Sequence, residues 1–373
     1  MNIIFVRDVF IKNTPHVNCE IQLVKALNKL GHDAKLIGIG DKTDIGKELI
    51  LLRSPFGKRK YFLLILLFYL PYYCVSKKID AVILDQHIIP ASILLLIIKK
   101  IFAIKIILDV RSIPVETDLP WDYKASCKFA NRFFDGATFI TEGTKDYVEK
   151  LIKSKFKKTA LFPSAVNLAI FHPAITNSIP LYVKEKAKKR INIFYHGSIS
   201  PNRGLDLVID AVNKLKDKYS NILFISISDN NQYILDYCDS KNYDLANYML
   251  LLDVVQHEKL TGYINLADIC VVPLPRMLWW EISSPLKLME YLAMEKPIIL
   301  SDIKAHLEVV PLNSEFAVYF NPDNRDDLSD KLLETISSLA KLKSNAAEGR
   351  KIAASKFTWE IQAKVIEEFI NRK

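Results

Sequence analysis

Short apolar runs and helical stretches alternate along the whole chain, and the alternation stops once and then restarts. Runs rich in β-branched residues fall at 3–6, 34–37, 81–84, 105–110, 137–140 and 159–162. The stretch between the first two, residues 17–30, repeats Ile21, Val24, Leu27 and Leu30 at helical spacing. After a proline- and lysine-rich stretch at 173–190, new runs appear at 191–195, 222–226, 249–252, 269–272, 297–300 and 317–320. Strands separated by helices build parallel sheets covered on both faces, so the pattern predicts two Rossmann-like α/β domains. A length of 373 residues suits two such domains, each able to bury its own core. The sequence boundary lies at residue 173, giving a first domain 1–173.

The charge is divided as unequally as the pattern is equal. Residues 1–173 hold 26 Lys and Arg against 16 Asp and Glu, net +10, while residues 174–373 are near neutral at −1. An excess of this kind suits a polyanionic partner. Residues 58–105 decide which kind, because they set long apolar and aromatic runs between Lys58, Arg59, Lys60, Lys77 and Lys78. That mixture argues for an anionic membrane face and against nucleic acid. The uncharged run 61–76 contains Pro71 and falls short of the roughly 20 residues needed to cross a bilayer. A buried helix of the α/β domain is the competing expectation for it.

Five widely spaced cysteines form no CxxC pair and are expected as reduced thiols. Arg7 and Asp8 interrupt the first apolar stretch, which therefore reads as a strand and not a secretory signal. The expected location is the cytoplasm, on the cytoplasmic membrane face.

Ligands of such sheets collect in loops beyond the carboxyl ends of the strands. One candidate is Gly197-Ser198-Ile199-Ser200-Pro201-Asn202-Arg203, a small polar turn between a strand and a helix. Backbone N–H groups can approach an anion there, and Arg203 offers two donors to a phosphate. The other is Glu281-Ile282-Ser283-Ser284-Pro285-Leu286-Lys287, followed one turn later by Glu290. Ser284 suits an N-cap and Pro285 the first helical position, leaving the N–H groups of Leu286 and Lys287 for a ligand. Lys287 adds a full charge, and Glu290 can accept hydrogen bonds from two adjacent hydroxyls. Solvated side chains on a capped amphipathic helix are the plain alternative.

At HGSISPNRGLDLVIDAV and SSPLKLMEYLAMEKPIILSD the sequence resembles the retaining glycosyltransferases of family 4, whose GT-B fold sets two Rossmann-like domains face to face across a cleft. The resemblance implies domains at 1–173 (acceptor), 174–355 (nucleotide-sugar) and a helix at 356–373 that crosses back to the first. It further implies that Arg203 and Lys287 grip the diphosphate of a nucleotide sugar, assisted by Gly197, Ser198 and the backbone from Ser283 to Leu286. Glu290 would hold the ribose, and the backbone of Val255 would meet the base. The family's first acid falls at position 282, where this chain has Ile282; Glu281, one step away, is the catalytic candidate if the local loop turns it toward the sugar, and Ser198 stands where many members carry a second arginine. Arg111 fits a position near the reacting sugar, with pairing to Asp109 or Asp135 as its structural alternative. Asn13, His16 and His87 are acceptor-side candidates, and Trp279 and Trp280 are candidates for the sugar pocket.

The expected activity is therefore transfer of a sugar, with retention, from a nucleoside-diphosphate donor such as a UDP-sugar to a lipid-linked or surface-glycan saccharide. Electrostatic help to the leaving diphosphate replaces a metal in this reading, and no cofactor is expected. A nucleotide-sugar epimerase and a noncatalytic nucleotide-binding protein are the alternatives.

Overall fold

The computed structural model describes the chain except residues 11–17, 41–45, 56–58, 115–120 and 373. It divides into two compact units, Met1–Ser164 with Trp359–Lys373, and Ala165–Thr358.

In the first unit, β1 (Asn2–Phe10), α1 (Asn18–Lys29), β2 (Asp33–Ile39), β3 (Leu49–Leu52), α2 (Arg59–Ser76), β4 (Ala81–Asp85) and α3 (Ile93–Ile98) follow in order. Then come β5 (Lys105–Val110), α4 (Trp121–Phe133), β6 (Gly136–Phe139), α5 (Glu142–Ile152) and β7 (Thr159–Leu161). The strands form a seven-stranded parallel sheet in the order β3-β2-β1-β4-β5-β6-β7. Because helices cover both faces, β1 is apolar from Ile3 to Val6 and β4 from Ala81 to Leu84. The edge strand β3 was not anticipated; its four residues are only half-buried and carry no alternation to betray it.

Arg7 breaks the apolar run of β1, and the sheet is built around that exception. Its guanidinium pairs with Asp85 at the end of β4 (2.8 Å), with Asp109 in β5, and with Glu20 in α1 (3.1 Å). Burial works against the charge, but the three carboxylates outweigh it and push the Arg7 pKa up. Thr138 Oγ1 donates to the other oxygen of Asp109 (2.8 Å), so that wholly buried carboxylate is satisfied on both sides.

The second unit contains α6 (Leu181–Ala187), β8 (Ile191–His196), α7 (Leu205–Leu215), β9 (Ile222–Ile227), α8 (Asn231–Lys241), β10 (Met249–Leu252), α9 (Leu260–Leu266) and β11 (Ile269–Val272). It continues through α10 (Leu278–Glu281), α11 (Leu286–Ala293), β12 (Ile298–Ser301), α12 (Lys304–Leu307), β13 (Ala317–Phe320), α13 (Asp327–Ser337), α14 (Leu339–Asn345) and α15 (Ala347–Lys356). Its six-stranded parallel sheet runs β10-β9-β8-β11-β12-β13. Successive residues of β8 point to opposite faces, so Phe194 joins one apolar core with Leu223 and Tyr291 while Tyr195 joins the other with Val208 and Phe224.

The last helix, α16 (Trp359–Asn371), belongs to the first unit. It packs on α1, where Glu360 pairs with Lys29 (3.7 Å), and Glu367 reaches His32 (3.1 Å). The sequence boundary at 173 is displaced in the structure. Residues 165–173 pack on the second unit, where Val166 N–H donates to Phe357 O (2.8 Å) and Arg350 donates to Phe171 O (2.7 Å). Thr358 pairs with Val166 in an isolated bridge and stays with that unit too.

Removing Arg7 leaves three carboxylates facing one another, one of them wholly buried. Arg7→Ala should lower stability by about 3–5 kcal/mol, the cost of breaking a buried pair on one side only. Urea unfolding followed by circular dichroism measures it; a loss below about 1 kcal/mol would show that water already screens the cluster.

Candidate functional site

Strand order reverses direction at β8, which pairs with β9 on one side and β11 on the other. At such a switch point the loops leaving two neighbouring strands diverge and open a ligand site. The loops after β8 and β11 meet there closely. Gly204 has φ +69°, and a Cβ on it would lie 1.9 Å from Pro273 O, so no other residue fits without moving one loop. Gly197, at φ +119°, begins the first loop, and a Cβ there would lie 3.2 Å from Lys287 Nζ.

Lys287 lies in the first turn of α11 and is only 8% exposed. Its ammonium sits 3.7 Å from the centre of the Tyr195 ring and makes no hydrogen bond. Burial, reinforced by the charge of Arg203, pushes its pKa well below the usual lysine range against the opposing pull of Glu290. Arg203 is half-buried at the end of the first loop, its guanidinium over the Trp280 ring at 4.9 Å. Trp280 is held in place by donating Nε1–H to Asn202 O (2.7 Å). Two cations are thus gathered beside a glycine turn, and neither has an ion-pair partner among the described residues.

The helix start differs by one residue from expectation. The N-cap of α11 is Pro285, at ψ 114°, and Ser284 precedes it. Leu288 N–H turns back to Pro285 O (3.1 Å), so the N–H groups of Leu286 and Lys287 come before the helical ladder. Ser283 Oγ donates to Trp280 O (2.9 Å), and Ser198 Oγ donates to Asp229 (3.0 Å). Val255 packs against the core beside α9, after β10.

One turn beyond Lys287, Glu290 has no exposed surface and lies between two imidazoles. His257 Nε2 is 2.5 Å from Oε1, and His196 Nε2 is 3.0 Å from Oε2. Burial would raise the carboxyl pKa, but the two histidines outweigh it and bring it down to about 2. The histidines themselves diverge. For His196 burial prevails and its pKa is lowered; for His257 the Glu290 charge overcomes burial and its pKa is raised. The group therefore favours a Glu290 carboxylate and a charged His257, and disfavours charge on His196. Neither histidine was given a role from the sequence: His196 ends a strand at the head of the first candidate loop, His257 follows Val255 by two residues, and only the fold carries them to one carboxylate.

The remaining expected residues have contacts of their own. Glu281 accepts the N–H of Lys304 (2.7 Å) at the start of α12 and faces Arg276 at 3.6 Å. Trp279 is half-buried. In the first unit, Arg111 donates to Phe162 O (2.5 Å) and lies over the Phe162 ring, while Asp109 is held by Arg7, and Asp135 by Lys99. His87 is exposed beside Asp85, whose carboxylate accepts its backbone N–H. Asn13 and His16 lie outside the described residues. Four of the five cysteines are buried free thiols, and Cys19 is half-buried.

The raised pKa of His257 gives a stability term with a defined sign. The term is complete below the unfolded value near 6.5 and is lost as pH rises through the higher folded value. Glu258 adds to it, and His196, depressed, has the opposite slope. The stability difference between wild type and His257→Gln should therefore be largest in mild acid and shrink toward alkaline pH. Urea midpoints across this range test it, and a difference that does not vary with pH would mean His257 stays neutral.

Residues 190–338, from just before β8 to the end of α13, match the family described as glycosyl transferases group 1. No curated protein matches the sequence significantly. Among solved structures, a glycosyltransferase from Rickettsia africae ESF-5 superposes with a TM-score of 0.76 at 17% identity, over 100% of this chain and 99% of that one. Alr3699/HepE of Anabaena in complex with UDP-glucose gives 0.76 at 14% identity, over 99% of each chain. Sucrose-phosphate synthase from Thermosynechococcus elongatus gives 0.73 at 15% identity, over 98% and 97%. At such identities the likeness establishes the fold: two parallel-sheet, Rossmann-like α/β domains of the GT-B kind.

Proposed function

We propose that the protein is a retaining glycosyltransferase that moves a sugar from a nucleoside-diphosphate donor, with UDP as the nucleotide, to a saccharide acceptor carried on a lipid or a growing surface glycan. The observation that carries this reading is the buried Lys287 ammonium, which lacks a hydrogen-bond partner and is set against Gly197 with Arg203 beside it. A diphosphate supplies the missing anion. As the bond to the sugar breaks, negative charge grows on that diphosphate, and two fixed cations with the leading N–H groups of α11 stabilise it. The match at residues 190–338 covers these groups, and the HepE complexes contain UDP and UDP-glucose.

In this reading Glu290 receives the ribose. His257 takes one oxygen, while Oε2, 3.0 Å from His196 Nε2 but without a hydrogen bond, keeps acceptor capacity for a hydroxyl. Glu281 is given no part in donor binding, since a helix start and Arg276 hold its carboxylate. The acceptor belongs to the first unit, and the basic excess of residues 1–173 suits an acceptor on an anionic membrane.

Glu290→Ala should weaken UDP binding by about 1.5–3 kcal/mol, the value of a hydrogen bond to a charged group. Lys287→Ala should weaken UDP more than uridine. Calorimetric titration of folded variants decides it, and unchanged affinity in both would remove the donor site from this place.

Catalysis is checked separately by incubating the protein with UDP- and GDP-sugars, with and without a membrane lipid extract. Sugar transfer only with the extract is expected. Conversion of the donor without any acceptor would mark an epimerase, and silence would mark a binding protein.

A further inference from the structure

Helix α2 is apolar on every side, yet only one side is covered. Phe62, Leu66 and Leu70 are fully buried beside β4, whereas Leu64, Phe68 and Tyr72, on the opposite side, are 56%, 63% and 72% exposed. The adjoining α3 repeats the arrangement, with Leu95 buried and Ile93 and Ile97 exposed by 52% and 67%. Ile101 and Phe102 extend it past the end of α3. A soluble surface normally breaks such a stripe with charged residues, and exposed large apolar side chains gathered on two touching helices mark a contact surface.

The charge on the two helices and just past their ends is predominantly positive. Neither helix contains an acidic residue. Lys60, Lys77, Lys78 and Lys100 are exposed near their ends, while Lys99 is held by Asp135. The acids that follow α2 are already engaged, Asp80 by the N–H of Asn2 (2.7 Å) and Asp85 by Arg7. A second copy of the chain docking here by two-fold symmetry would set lysine against lysine. No helix among the described residues is long and apolar enough to cross a membrane.

We propose that the face formed by α2 and α3 lies in the interfacial layer of a bilayer bearing anionic lipid. Phe68, Tyr72, Ile97 and Ile101 enter the boundary between headgroups and acyl chains, and the rim lysines meet lipid phosphates. This deepens the acceptor reading above and rests on it for the purpose of the contact, though donor binding plays no part in it.

The full chain is sedimented with vesicles of phosphatidylcholine alone and of phosphatidylcholine mixed with phosphatidylglycerol. Wild type should bind the mixed vesicles at low salt and lose them as salt rises. The double variant Phe68→Ser with Ile97→Ser should lower vesicle partitioning by at least roughly tenfold, from apolar area no longer withdrawn from water. Lys77→Gln with Lys78→Gln should weaken binding to the anionic vesicles and flatten the salt dependence, with UDP affinity unchanged in both variants. Wild type left in the supernatant at low salt, or serine variants that bind like wild type, would overturn the proposal. So would a wild type that ignores vesicles but self-associates until the serines are introduced. Transfer to a lipid extract without vesicle binding would sink this surface yet leave the acceptor reading standing.

Discussion

A buried ammonium without an anion is costly, and the second unit is arranged so that Lys287 can nonetheless exist. The Tyr195 ring offers its electron-rich face at 3.7 Å, Gly197 leaves the space a side chain would take, and Glu290 lies one turn along the same helix. These concessions offset part of the desolvation and leave the depressed pKa as a record of the rest. A binding anion then gains more here than on an exposed surface, because the cation it meets has already been stripped of water and fixed in place.

The carboxylate next to it follows the opposite rule. Glu290 is as deeply buried as any group in the unit, yet its pKa falls, because His196 and His257 surround it. Glu290 is held as a carboxylate by its two histidines, whereas burial disfavours the charge on Lys287, and no hydrogen bond joins the two side chains. Gly204 contributes at a distance, since its lack of a Cβ lets the loop of Arg203 press against Pro273 O and fixes where that guanidinium stands.

How legible these features were in the sequence depended on whether local spacing determined them. All six strands of the second sheet were visible as apolar runs between helices, because parallel strands buried on both faces announce themselves. Lys287 and Glu290 share a helix at a three-residue spacing, so their common face could be read directly. His257 could not, since it meets Glu290 only after α9, β11 and α10 have intervened. Arg7 was seen as a charge in a strand, but its partners at 20, 85 and 109 come from three other elements. The cap of α11 slipped from Ser284 to Pro285 because ψ of 114° places the proline just outside the helix.

Helix α2 shows the limit most plainly. A segment apolar on all sides has no hydrophobic direction, so its pattern fits a buried helix and an interfacial one equally well. Only its neighbours break the tie. In the fold, β4 and α3 cover the side of Phe62, Leu66 and Leu70, and the protein supplies nothing of its own among the described residues to cover Phe68 and Tyr72. Neither helix carries an acid, so under the membrane proposal the exposed lysines at their ends would find their counterions in lipid phosphates. Under that proposal the uneven charge of the chain and the one-sided burial of α2 share one physical reason, since each completes a surface that water alone would penalise.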